Sequence, residues 1–174
     1  MRSLIAPPLS LLAQVRSLLA PPLCWSCRSP TARGAVLCLG CRRALRFLPA
    51  DPVRLSGVRV WAAVAYEGPA RDLVRALKFR GALALADELA AIVVASAPEE
   101  LLRGVLVPVP LRPARRRRRG FNQAATLAAA IARRTGLAVA DCLARRDRAP
   151  PQVGRGRGAR LGLPAGSIEA HAAV

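Results

Sequence analysis

A chain of 174 residues allows one ordinary domain, or a small module joined to one, and 53% hydrophobic residues exclude a disordered tail. A formal net charge of +18 predicts attraction to polyanions: nucleic acid, phosphorylated metabolites or anionic membrane. All but Lys78 of the 28 basic residues are arginine, a bias expected of a high-GC coding sequence, so the clustering of the arginines says more than their number. Fifteen of them, against only Asp141 and Asp147, fall between Arg103 and Arg160.

The chain opens on MRSLIAPPLSLLAQVRSLLAPPL, which contains a near-repeat, Ser3 to Leu9 against Ser17 to Leu23. Arg16 and two Pro-Pro pairs interrupt what would otherwise look like a secretory signal. Residues 1–17 read as a dispensable extension, and the second copy as a short amphipathic helix leading into the cysteine segment. No run reaches the roughly 18 uncharged apolar residues of a membrane span, so a soluble, cytoplasmic protein is expected.

CWSCRSPTARGAVLCLGC comes next, placing Cys24, Cys27, Cys38 and Cys41 in a C-x2-C-x10-C-x2-C pattern. Each C-x-x-C turn aims two thiolates at one point, and two turns complete a tetrahedron around zinc. Two disulfides would need an oxidising compartment that nothing in the sequence supports, and a redox motif would not come twice. Four sulfur ligands leave no open position, so the zinc is expected to be structural, stapling a ribbon over residues 18–50. Loss of the metal is then expected to loosen the ribbon and leave the rest folded. Arg28, Arg33, Arg42, Arg43 and Arg46 surround the cysteines without an acid. Cys142, alone, reads as a buried small hydrophobe.

Pro49 to Gly57 reads as a linker and Val58 to Tyr66 as a buried strand. GPARDLVRALKFRG then reads as a helix opened by Pro69 and closed by Gly81, with Leu73, Val74 and Leu77 inward. Arg71, Arg75 and Lys78 share a face of it at i, i+4 and i+7. That face is either solvated or a phosphate site, and the single lysine, a compact point charge, favours phosphate. A helix over 82–97 stops at Pro98, and Val105 to Val107 reads as a short strand. LRPARRRRRG reads as a basic loop, and Asn122 as the N-cap of a helix with Ala124, Leu127, Ala128 and Ile131 inward and Gly136 as its stop. Strand, basic loop and helix N-terminus together make an anion site. Helices between strands predict an α/β fold with a mostly parallel sheet over residues 58–174. Gly154 to Gly158 reads as a flexible loop and His171 as part of a disordered tail.

The four-cysteine ribbon, then YEGPARDLVRALKFRG, then VPVPLRPARRRRRGFNQA, resembles the ComF family of competence-associated proteins. These are similar to type I phosphoribosyltransferases with an added N-terminal zinc ribbon. The likeness runs from about Leu18 to Arg160, and RGFNQA after VPVPL is its most specific part. It implies a Rossmann-like sheet, a ligand of the phosphoribosyl pyrophosphate type, and a role in bacterial DNA uptake. Carried over residue by residue, Lys78, Arg119, Gly120, Phe121, Asn122 and Gln123 match family motif positions, as does Gln152.

The family's late strand, with two acidic residues before a hydroxyl-rich loop that holds ribose 5-phosphate with Mg²⁺ nearby, has no counterpart here. The chain is therefore expected to be truncated, and to bind a pyrophosphate-like anion without transferring a phosphoribosyl group. An alternative is a non-enzymatic nucleic-acid accessory, with Arg115, Arg116, Arg117 and Arg118 on the backbone of single-stranded DNA and the competence machinery as partner. A third is an unstable remnant with an exposed sheet edge. Two tryptophans, one tyrosine and three phenylalanines give no expectation of a base-stacking platform.

Overall fold

The computed structural model describes residues 22–145 and 167–171. The N-terminal extension, all but the last two residues of the second repeat, Gln152 and the Gly154 to Gly158 stretch lie outside them; Leu23, at the end of that repeat, is in a β-bridge and not a helix. Within them the fold is mixed α/β, with short sheets of two strands.

The cysteine segment folds first as a tight turn. Cys24 N–H donates to the Ser29 carbonyl at 2.8 Å and Arg28 N–H to the Cys24 carbonyl at 3.1 Å, and an isolated antiparallel bridge joins Leu23 to Pro30. Cys38 then caps a one-turn helix, α1 (Leu39–Arg43), its sulfur accepting from the Cys41 N–H. The chain continues along an antiparallel contact in which Leu48 N–H donates to Ala63 and Ala65 N–H to Arg46.

Between those partners the expected linker and buried strand are replaced by a hairpin, β1 (Val53–Leu55) and β2 (Val58–Val60). Ser56 and Gly57 turn it, both at positive φ, the arrangement a two-residue hairpin turn requires. The strand starting at Val58 stops at Val60 and is exposed, and burial resumes only at Ala63 and Ala65. VRVWAAVAY looked buried because it is apolar, but a two-stranded ribbon offers nothing to cover its faces.

Helix α2 (Gly68–Arg80) has Pro69 in its first turn and Gly81 as a left-handed cap at φ 65°, as read from the sequence. Leu73 and Leu77 face inward, joined by Ala70 and Ala76, while Val74 is only half-buried. Helix α3 (Leu85–Ser96) follows a turn, then a short 3-10 segment (Glu99–Leu101) and β3 (Val105–Leu106). The arginine run is not a loop: it forms α4 (Pro113–Arg119), followed by α5 (Gln123–Thr135). Arginine is a good helix former, Pro113 pre-sets the first turn, four arginines complement the carbonyl end, and Gly120 at φ 83° stops it. In α5, Ala128, Ala130 and Ile131 are buried, while Ala124 and Leu127 are half-buried. Gly136 ends it at φ 75°.

β4 (Ala138–Val139) returns parallel to β3, and β5 (Leu143–Arg145) pairs antiparallel with β6 (Ile168–Ala170). Of the three sheets among the described residues one is parallel, where a mostly parallel sheet was expected. The Ser56-Gly57 turn between β1 and β2 permits only antiparallel pairing, whereas β3 and β4 enclose α4 and α5, a connection long enough for a parallel crossover. His171 is held at the end of β6, its N–H donating to the Cys142 carbonyl at 2.9 Å, and is not a loose tail.

The core joins the cysteine module to the helices. Cys24, Leu37 and Leu45 pack in one cluster with Leu73, Leu77, Leu85, Leu89 and Ile92. Polar ties reinforce it: Ser26 Oγ donates to Asp72 at 2.7 Å, and Arg42 pairs with Glu88 at 2.5 Å. A second cluster sets Ala86 and Ala90 of α3 against Ala130 and Ile131 of α5, small residues that let two helices approach closely. The cysteine segment and the helices thus share one core cluster.

Candidate functional site: a cysteine metal centre and a cationic cavity

The sulfurs of Cys24, Cys27, Cys38 and Cys41 all lie within 4.8 Å of one another. Tetrahedral zinc with sulfurs about 2.3 Å away sets them about 3.8 Å apart. Cys27 and Cys38 are 3.5 Å apart, too far for a disulfide and close to that edge length. The donor set thus fits one soft, four-coordinate ion. Hydrogen bonds from Ser29 hold the Cys27 thiol down at about 6, while burial, with the neighbouring thiols, pushes Cys41 up to about 12. Four thiols crowded together do not share four negative charges without a cation. A metal ion bound there would supply that charge, and the four cysteines would fill its tetrahedral coordination shell.

The second feature is a cavity of about 310 Å³ walled by the end of α2 and one side of α4. Lys78 and Phe79 line it from α2 and Gly81 from its cap, and Arg115, Arg118 and Arg119 from α4, with Phe121 beyond. A helix sorts its residues by angle, and 115, 118 and 119 are spaced i, i+3 and i+4, so they share a face. Arg116 points the other way, into a cavity of about 350 Å³ shared with Asp141, Arg145 and His171. Arg117 lines neither. The run of identical residues thus becomes three different environments.

No carboxylate lines the Lys78 cavity among the described residues. Burial, then the charges of Arg119 and Arg115, lower the pKa of the Lys78 ammonium. Burial, then Arg115 and Arg118, do the same to Arg119. Like charges gathered in a half-buried place repel, and an anion relieves the repulsion. Arg119 is held in position twice over: its guanidinium sits 5.4 Å from the Phe79 ring centroid and donates to the Gln123 side chain.

The other sequence-derived candidates fall elsewhere. Arg71 and Arg75 do not reach the cavity lining; they stay on the exposed face of α2, the solvated alternative. Gly120 supplies the left-handed cap that ends α4. Gln123 orients Arg119. Asn122 works on the backbone: its Oδ1 accepts from Ala124 N–H at 3.1 Å and its Nδ2 donates to the Val109 carbonyl at 3.1 Å. It fixes the start of α5 and borders the second cavity, not the first. Phe79 is the cavity residue that sequence reasoning missed, and its adjacency to the lone lysine was the available signal.

No helix among the described residues is long and apolar enough to cross a membrane. Compared with protein-family models, curated proteins and solved structures, the chain matches none.

Proposed function

We propose that this chain is a zinc-stapled protein of the ComF kind whose cationic cavity holds a pyrophosphate-type anion, phosphoribosyl pyrophosphate being the ligand that kinship implies. One observation carries the reading. Lys78 and Arg119, remote in sequence and both matching the family's motifs, converge with Arg115 and Arg118 on a cavity that no acid lines. A phosphoryl group there would gain charge-assisted hydrogen bonds and remove the mutual repulsion of its hosts. The four-cysteine cluster, able to hold a zinc ion, fits the same kinship, as does the parallel β3–β4 pair with two helices in its crossover, a fragment compatible with a Rossmann-like sheet. The reading assigns anion binding, not catalysis, to these residues, and links the protein to DNA uptake.

Titration calorimetry with pyrophosphate tests it. Lys78→Ala and Arg119→Ala should each weaken binding about tenfold or more, the worth of a charge-assisted contact. Arg54→Ala, on the distant hairpin, should leave it unchanged. Equal losses from all three would mean that the net charge, not the cavity, attracts the anion.

A further inference from the structure

Bare pyrophosphate needs cations only, yet two of the chain's three phenylalanines, Phe79 and Phe121, line the same cavity as the four cations. They differ in kind. Phe121 is half-buried and packs against the core. Phe79 is 69% exposed, and Arg119 lies over its ring at 5.4 Å. Exposed apolar residues are ordinary on a surface, and Phe47 is another in this chain. What sets Phe79 apart is the conjunction of an exposed ring, an arginine over one face of it and three further cations beside it.

We infer that the cavity takes a nucleotide: the phosphates lie against Lys78, Arg115, Arg118 and Arg119, and the base stacks on Phe79. This rests on the anion-site reading and narrows its ligand. The volume, about 310 Å³, is at the small end for cofactor-sized pockets and suits the phosphates and sugar, leaving the base at the mouth where the ring is exposed. A flat base in place there covers apolar surface that water now covers. Stacking of a base on an aromatic side chain is worth about 1–3 kcal/mol, or about five- to 150-fold in affinity. Every base has a π-face, so the preference is for having a base and not for which base.

The test compares ADP with methyl diphosphate, which carries the same esterified diphosphate without a base, by calorimetry on the full chain. ADP should bind the unaltered protein at least about fivefold tighter. Phe79→Leu should remove that difference, and Phe79→Tyr should retain it. Lys78→Ala should weaken both ligands alike. A thymidine oligomer with a 5′-phosphate, set against ADP, tells a strand end from a free nucleotide, whichever binds tighter through Phe79. Equal affinity for ADP and methyl diphosphate, or a preference that survives Phe79→Leu, overturns the nucleotide assignment while the anion site stands. If methyl diphosphate and pyrophosphate both fail to bind, the anion site falls first and the nucleotide with it.

Discussion

The cysteine-and-helix half of the molecule and its strand half are built to different standards. In the first, Cys24, Leu73 and Leu85 are wholly removed from solvent, and residues from the ribbon, α2 and α3 close one cluster. In the second, the paired strands are two or three residues long, and Val105, Val107, Val109 and Val139 are exposed. The hairpin goes further. Its register pairs Val53 with Val60 and Leu55 with Val58 on one face, all exposed, and sets Arg54 directly opposite Arg59 on the other. The contrast locates the source of stability. Helix faces bury apolar stripes against a module that a metal can lock, whereas strands this short bury little among themselves. The cationic cavity lies between these regimes, one wall on the well-packed α2 and the other on the exposed α4.

Removing the metal should disturb this contrast most severely. Because Cys24 belongs to the same cluster as Leu73 and Leu77, chelation or Cys24→Ser should unfold more than the ribbon. Structural zinc contributes about 10 kcal/mol or more of folding free energy in small modules, so a fall in thermal midpoint beyond about 10 °C is expected by circular dichroism. Helical signal untouched by chelation would show that the ribbon stands apart.

Point substitutions probe the two halves at smaller scale. Leu73→Ala should cost about 3 kcal/mol in urea denaturation, as a fully buried leucine does, against less than about 0.5 kcal/mol for Val139→Ala. Comparable costs would mean that the strand half is as well packed as the helical half.

The pH dependence of the cavity should be modest and of definite sign. The Lys78 pKa lies below its unfolded value, so charging this lysine opposes folding, and its contribution to stability improves as pH rises through the lowered pKa. Anion binding runs the opposite way, needing the ammonium and weakening across that same alkaline range. Lys78→Arg should bind pyrophosphate nearly as well at neutral pH and keep binding where the unaltered protein loses it. Parallel losses in both proteins would place the titrating group elsewhere.

The smallest effect belongs to the surface pair in which Arg46 lies 2.6 Å from Glu67. Arg46 lowers the Glu67 pKa, so the contribution is present at neutral pH and is lost as pH falls through the lowered value. Both groups are exposed, and water screens them. Arg46→Ala should leave the thermal midpoint nearly unchanged, and a large drop would mean that the antiparallel contact around Phe47 and Val64 depends on the pair.

How much of this could be read from the sequence depends on how local each feature is. Caps and stops are local, so Pro69, Gly81, Asn122 and Gly136 marked helix ends correctly. The cysteine spacing likewise predicted a cluster that the fold assembles. The hairpin is hidden because apolar character does not by itself give burial, which depends on what lies opposite. The arginine helix hid because a charge run suggests a loop. Its division among three environments depends on helical angle, which appears only once the run is known to be helical. Phe79 hid because its partner Arg119 is distant in the chain.

That division of the arginines can be put to the test with two neighbours of identical chemistry, Arg118 and Arg117. Each is replaced by alanine, and pyrophosphate binding is measured by calorimetry at low ionic strength. Net charge falls by the same amount in both, so an effect of overall charge cancels in the comparison. Arg118→Ala should weaken binding about tenfold, with Arg117→Ala within about twofold of the unaltered protein. Equal weakening by the two would contradict the cavity as the seat of anion binding.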